Sequence, residues 1–119
     1  MKKTLILGAS MHKGRYSNHA IRMLNMNGIH VSGIGIRSGQ VENCRIVTEK
    51  VSFDKVHTVS LYLNPLNQKS YYNYVISLKP QRVIFNPGSE NPEFELELSK
   101  HQIFFERACT LVLLRTNQF

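Results

Sequence analysis

A short apolar run that ends in glycine and leads into a helix constrains this chain more than any other feature. Residues 4–8, Thr-Leu-Ile-Leu-Gly, are typical of a strand that is buried on both faces in a parallel sheet. Apolar residues then recur at helical spacing over residues 17–27, with Ser17 as the predicted N-cap and Gly28 as the predicted C′ residue. Residues 29–36 follow as a second strand. This stretch therefore predicts a βαβ unit.

The rest of the chain continues the alternation of strands and helices. The pairs Asn64-Pro65 and Asn91-Pro92 predict two helix starts, because asparagine caps a helix and proline is favoured at its first position. We expect these helices to end near residues 79 and 100. Residues 37–55 are polar and predict no regular element. Further strands are expected at residues 56–63 and 82–85, and one or two short closing strands at 103–105 and 110–113.

This alternation predicts an α/β fold. The economical arrangement is a three-layer, Rossmann-like, doubly wound sheet of five mainly parallel strands in the order 3-2-1-4-5. The 119 residues suit one domain, spanning 1–119. Ligands of such sheets bind beyond the carboxyl ends of the strands, at the switch point beside strand 1. The candidate site therefore comprises the first loop (residues 8–17), the second (33–39), the third (63–66) and the fourth (86–91).

The positive charge of the chain is concentrated in its first third. The formal net charge is +7, yet residues 1–41 contain six lysines and arginines and no carboxylate. Such an excess suggests a polyanionic partner, either a phosphate-bearing small molecule or a nucleic acid. The aromatic residues are not interleaved with the basic ones, which disfavours a nucleic-acid-binding module.

The first loop leaves a strand and enters a helix N-terminus, where backbone N–H groups favour an anion. Ser10 and Ser17 offer hydroxyls, and Lys13 and Arg15 add positive charge. The dinucleotide fingerprint G-x-G-x-x-G is missing, because Ser10 stands in place of its second glycine. Phosphate binding and an ordinary tight turn with basic surface residues both remain open here.

The second loop lacks the carboxylate that usually holds the ribose diol of NAD, since the chain has no Asp or Glu before Glu42. Arg37 suits a phosphate instead, through its planar fork of donors. A solvated surface arginine and the 2′-phosphate site of an NADP-binding protein are the two other interpretations.

The sequence contains no convincing catalytic or metal-binding constellation. The five histidines lack metal-ligand spacing, and Cys44 and Cys109 each stand alone, which fits a reducing cytoplasm. Glu106-Arg107 is as consistent with surface charges as with an active-site pair. No apolar run approaches the ~18 residues of a membrane span. We expect a cytoplasmic protein without a membrane segment, a catalytic residue or a metal.

Several segments together resemble the CoA-binding domain family, small Rossmann-like bacterial proteins related to the CoA-binding domain of the succinyl-CoA synthetase α subunit. Gly8-Ala9-Ser10 with Arg15-Tyr16-Ser17 is similar to the first-strand motif of the family. Residues 86–91, Asn-Pro-Gly-Ser-Glu-Asn, resemble its Q-P-G-x-x-N loop, and residues 106–109 resemble its closing D-R-C segment. The chain departs from the family at Gly35-Ile36, where Asn-Pro is usual, and at Asn64, where a basic residue is common.

The resemblance implies that coenzyme A lies across the switch point, with its diphosphate near the first loop and its pantetheine arm near the fourth. The cofactor-binding residues that it implies are Gly8, Ala9, Ser10, Arg15, Tyr16, Ser17, Arg37, Asn64, Pro65, Pro87, Gly88 and Asn91. We therefore expect a protein that binds CoA or an acyl-CoA without catalysis of its own. An NAD(P)-binding, oxidoreductase-like protein and a nucleic-acid-binding module are the alternatives.

Overall fold

A computed structural model describes residues 2–119 and contains one seven-stranded sheet. The strands are β1 (Thr4–Leu7), β2 (Val31–Ile34), β3 (Gly39–Val41), β4 (Cys44–Val47), β5 (Thr58–Leu61), β6 (Arg82–Phe85) and β7 (Phe105–Arg107). They lie in the order β3-β4-β2-β1-β5-β6-β7. Every neighbouring pair is parallel except β3 with β4, which form an antiparallel hairpin at one edge.

Helices cover both faces of the sheet, which gives the three layers expected of a doubly wound α/β fold. They are α1 (Tyr16–Met26), α2 (Pro65–Gln68), α3 (Tyr72–Leu78), α4 (Pro92–Lys100) and α5 (Thr110–Arg115), with a 3₁₀ turn over Lys69–Tyr71 between α2 and α3. Side chains of β1 alternate between the faces. Leu5 and Leu7 pack in the core beneath α3 and α4, whereas Ile6 packs with α1 and α5.

The predicted strand count and strand order are wrong in one respect. Residues 37–55, expected to be irregular, contain the β3–β4 hairpin, and β4 occupies the place beside β2 that was predicted for residues 56–63. Those residues form β5 on the other side of β1. The hairpin escapes prediction because β4 pairs with β2 at only two positions and alternates buried Cys44 and Ile46 with the exposed Arg45. Numbered along the chain, the six parallel strands have the order 3-2-1-4-5-6, so the predicted winding is correct.

Two local predictions are also corrected. The residues expected to form a second closing strand, 110–113, lie in α5, where Leu111 and Leu114 are buried and Val112 is exposed, a helical spacing. A four-residue apolar run cannot distinguish the two structures by itself. Ser17 is not the N-cap of α1: Arg15 holds that position, and Ser17 is buried within the first turn.

The other predicted helix starts and ends are confirmed, but the single helix expected between residues 65 and 79 is divided into α2, the 3₁₀ turn and α3. The side chain of Asn64 accepts a hydrogen bond from the N–H of Asn67 at 2.9 Å, and Asn91 caps α4 through the N–H of Phe94 at 3.1 Å. Gly28 has a φ of +72° and follows α1 as its C′ residue. In the part of the chain that the structure describes, no helix is both long and apolar enough to cross a membrane.

Candidate ligand-binding cleft

A cleft of about 1170 Å³ opens at the carboxyl ends of β1, β2, β5 and β6, where the strand order reverses. All four predicted loops contribute to its walls, together with Thr48 after β4 and Tyr71 before α3. This volume slightly exceeds the range of about 300–1,000 Å³ that small-molecule sites occupy. The switch point therefore offers room for an extended cofactor.

The first loop lies tightly against the ends of its neighbouring strands. The amides of Gly8 and Ala9 both donate to the carbonyl of Ile34 at 2.9 Å, so neither is free to bind a ligand. Gly8 has a φ of +91°, and a Cβ there would lie 2.6 Å from the carbonyl oxygen of Tyr62. A Cβ on Gly35 would collide with the carbonyl oxygen of Ala9. These glycines are therefore needed for the close approach of backbone to backbone.

The first turn of α1 supplies the free donors of the cleft. The N–H groups of Tyr16 and Ser17 have no hydrogen-bond partner within residues 2–119, as expected at a helix start, and both residues line the cleft. The preceding loop is held in place because Asn18 donates from Nδ2 to the carbonyl of Ser10 at 3.0 Å. Ser10 Oγ accepts from the N–H of His12 at 3.0 Å. The donors are thus preorganised for an anion.

The charge of the lining has one sign. Arg15 and Arg37 are exposed side chains that line the cleft and make no hydrogen bond or ion pair with any residue that the structure describes. No Asp or Glu among the described residues lines it. Two uncompensated guanidinium groups and two free amides in one concave region favour a phosphorylated ligand.

Buried amide side chains hold the opposite wall. Gln68 donates from Nε2 to the carbonyl of Leu63 at 2.8 Å and to the carbonyl of Ser89 at 2.7 Å, so it joins the third loop to the fourth. Asn91 donates from Nδ2 to Gln68 Oε1 at 2.9 Å. These hydrogen bonds hold the wall in place, and none of them requires a bound ligand.

A third buried amide fixes the start of the fourth loop. Asn86 donates from Nδ2 to Ser60 Oγ at 2.8 Å and to the carbonyl of Leu61 at 2.9 Å, and its Oδ1 accepts from the N–H of Thr110 at 2.8 Å. By contrast, the buried Tyr62 hydroxyl makes no hydrogen bond of good geometry with any described residue. Burial raises the pKa of Tyr62 to about 12, although the nearby hydroxyls of Thr110 and Ser60 act to lower it, so the phenol stays neutral at physiological pH.

The sequence matches the family model of the CoA binding domain over residues 2–115, which is nearly the whole chain. The chain belongs to the CoA binding domain family. A crystal structure of an uncharacterized protein is 47% identical, with a TM-score of 0.96 and coverage of 100% of this chain and 98% of the other. No curated protein matches the chain.

More distant structures share the fold of this CoA binding domain. A Thermus thermophilus protein is 20% identical, with a TM-score of 0.85 over 99% of this chain and 91% of its own. A hypothetical protein from Pyrococcus horikoshii OT3 is 21% identical, with a TM-score of 0.82 over 96% of this chain and 82% of its own. At these identities the likeness concerns the fold alone.

The structure brings ten of the twelve predicted site residues of this CoA binding domain into the lining of the cleft. They are Gly8, Ala9, Ser10, Arg15, Tyr16, Ser17, Arg37, Asn64, Pro87 and Gly88. Pro65 and Asn91 lie outside the lining. Pro65 is the exposed first residue of α2, and Asn91 is a buried helix cap.

Sequence reasoning missed the lining residues that lie outside the four predicted loops, namely Thr48, Tyr62, Asn67 and Tyr71. Within those loops it did not single out Met11, His12, Ile34, Gly35, Ile36, Leu63 and Ser89, which also line the cleft. It also missed Gln68, which resembles an ordinary polar helix residue until its burial is known. For Met11 and His12, the only signal was their position in the first loop beside the Gly-Ala-Ser run. Neither residue type by itself predicts a phosphate site.

The remaining sequence candidates for chemistry are structural. Arg107 forms a bidentate pair with Glu95 at 2.7 and 3.0 Å, which raises the pKa of Arg107, whereas Glu106 faces Arg82 at 3.5 Å. The two neighbours therefore serve separate ion pairs. Burial raises the pKa of Cys44 to about 11, which keeps its thiol protonated and unreactive. Among the described residues, no group of His, Cys, Asp or Glu is placed to hold a metal ion.

Proposed function

We propose that this chain is a single domain that binds coenzyme A or an acyl-CoA in the cleft and acts as a non-catalytic binding or regulatory protein. One observation carries the proposal: a carboxylate-free cleft at the switch point presents Arg15, Arg37 and the free amides of α1 together. Family membership supports the choice of ligand.

The proposed arrangement follows the distribution of donors. The diphosphate lies at the first turn of α1, where Tyr16 and Ser17 offer their amides and Arg15 adds charge. Arg37 binds the ribose phosphate of the ligand. A ligand with a phosphorylated ribose presents this group where other nucleotides present a free diol. The pantetheine arm extends between Tyr62 and the exposed Pro87-Gly88 pair toward the fourth loop.

The lining favours binding over bond-making chemistry. Its described titratable side chains are two arginines, His12 and three tyrosines, with no carboxylate, cysteine or lysine. No described pair in the cleft has the geometry of a nucleophile with its general base. A non-catalytic binding or regulatory role is the one that this composition supports.

The position of Arg37 also favours one alternative, because an arginine after the second strand of a Rossmann fold accommodates the 2′-phosphate of NADP. Thermal unfolding with CoA, acetyl-CoA, NADPH and no ligand separates the two. We expect CoA at about 100 times its Kd to stabilise the protein by about 2.7 kcal/mol, roughly 10 °C in Tm. Stabilisation by NADPH and none by either CoA species would refute the proposal.

The nucleic-acid-binding alternative predicts a different result. It requires association with generic DNA or RNA at physiological ionic strength, with an affinity that falls steeply as salt increases. We expect no retarded band in a gel-shift titration under those conditions. A retarded band together with no response to CoA would assign the basic residues to a polyanion surface.

A further inference from the structure

His12 is a cleft residue that neither the family motif nor the phosphate assignment uses. It is exposed, it lines the cleft, and its backbone is fixed on both sides. Its N–H donates to Ser10 Oγ at 3.0 Å, and its carbonyl accepts from the N–H of Arg15 at 3.1 Å. The Cα of His12 therefore has a defined place between the strand end and the helix start.

The imidazole ring is fixed as well. The N–H of Gly14 donates to His12 Nδ1 at 3.1 Å, so Nδ1 must be the unprotonated acceptor nitrogen. A neutral imidazole then carries its proton on Nε2, which becomes a donor. Gly14 allows this approach, because a Cβ there would lie 3.1 Å from Cε1 of the ring and 3.2 Å from Nδ1.

The environment decides what such a donor can bind. The first turn of α1 offers the free amides of Tyr16 and Ser17, and the arginines at 15 and 37 are cations. No described carboxylate of the lining competes for the Nε2 proton. Because the neighbouring groups are also hydrogen-bond donors, the Nε2–H of His12 is complementary to an anion with several acceptor oxygens, such as a phosphate group.

We propose that His12 donates its Nε2–H to a phosphate oxygen of the ligand, and that the Gly14 amide holds the ring in the required tautomer. The assignment rests on the proposed function of the cleft and adds a ligand-binding residue to it. Because His12 precedes α1 in the first loop, the phosphate concerned is one of the diphosphate.

Three substitutions at His12 separate the contributions of its two ring nitrogens to CoA binding. His12→Asn keeps an acceptor at the δ position for the Gly14 amide and removes the ε donor. His12→Gln places an amide nitrogen at the ε position, and His12→Ala removes both groups. We expect His12→Asn and His12→Ala to weaken CoA binding by roughly tenfold to a hundredfold, and His12→Gln to retain most of the affinity. His101→Asn, at an exposed histidine outside the cleft, is the matched control.

Isothermal titration with CoA gives the affinities, and long-range ¹H–¹⁵N spectra of the imidazole give the tautomer. The free protein should show the Nε2–H form, and its Nε2 signal should shift on addition of CoA or inorganic pyrophosphate. Full affinity in His12→Asn with a loss in His12→Ala would reduce His12 to a positioning role and overturn the proposal. So would an unmoved Nε2 signal while CoA binds. A pyrophosphate response without CoA binding would instead refute the proposed ligand and leave the donor in place.

Discussion

The substitution Gly8→Ala tests whether the first loop owes its shape to close backbone contact. Gly8 has a φ of +91°, which strains any other residue, and an added Cβ would lie 2.6 Å from the carbonyl oxygen and 2.9 Å from the carbonyl carbon of Tyr62. Both atoms are backbone, so no side-chain rotation relieves the overlap. Either β5 or the first loop must move by several tenths of an ångström to reach ordinary contact.

The cost has two parts that a second glycine can separate. Gly28 also has a positive φ, +72°, but a Cβ there meets nothing within 4 Å. Backbone strain of about 1–2 kcal/mol, offset by about 0.4–1 kcal/mol from the stiffer unfolded chain, leaves roughly 1 kcal/mol for Gly28→Ala. Gly8→Ala adds the steric cost of forcing a group into packed structure, about 1–3 kcal/mol. Its total is therefore about 2–4 kcal/mol.

Urea unfolding of the parent and the two variants measures both parts. With an m-value of about 2 kcal/mol per molar urea, Gly8→Ala should lower the midpoint by roughly 1–2 M, and Gly28→Ala by about 0.5 M. Gly8→Ala should also weaken CoA binding, whereas Gly28→Ala, remote from the cleft, should not. Equal midpoints for the two variants would show that the contact with Tyr62 carries no strain and would refute the reasoning.

Three further predictions concern the charge, the buried phenol and the pH response. Arg15→Ala and Arg37→Ala should each weaken CoA binding roughly tenfold in calorimetry. The Tm of the free protein should not change, because neither side chain has a partner in the described chain. Arg115→Ala, at an exposed arginine, is the control, and equal affinities in all three variants would refute the phosphate assignment. Tyr62→Phe should leave the free energy of unfolding unchanged or raise it by up to ~1 kcal/mol, since the lost hydroxyl has no partner, and a marked loss would disprove its unpaired state. Burial, Arg82 and Lys2 lower the pKa of His57 in the folded protein, so the unfolded chain binds more protons as the pH falls through about 6.5. Unfolding free energy should therefore decrease from that pH down to the folded pKa, and His57→Asn should flatten this decrease.

Elements defined by local chemistry were predictable from the sequence. The strand at 82–85 and the helix that begins at Asn91-Pro92 match the structure, because the capping amide acts within a few residues of the helix start. The same reasoning found the start of α2 at Asn64. Such signals depend on neighbours along the chain, which the sequence displays directly.

Elements defined by distant partners were not predictable. The strands of the β3–β4 hairpin are only three and four residues long, and only pairing with β2 makes Cys44 and Ile46 core residues. The run at 110–113 is helical because α5 packs beside α1, which no local pattern reveals. The omission of β4 was enough to place residues 56–63 on the wrong side of β1.

The candidate site divides in the same way. Its location followed from topology, since parallel strands bring their carboxyl ends together at one edge of the sheet. The supporting residues did not, because the burial of Gln68 and its two bonds to Leu63 and Ser89 exist only after two loops meet. His12 likewise becomes informative only when the Gly14 amide is seen on its ring.

The central claim is that a CoA-type ligand binds at the switch point, and an amide NMR titration of the ¹⁵N-labelled protein with CoA tests it most directly. We predict shift changes concentrated at Ser10, Tyr16, Ser17, Arg37 and Gly88, with the outer surface of α4 unchanged. An absence of shifts at millimolar CoA, or shifts confined to surfaces away from the cleft, would contradict the account.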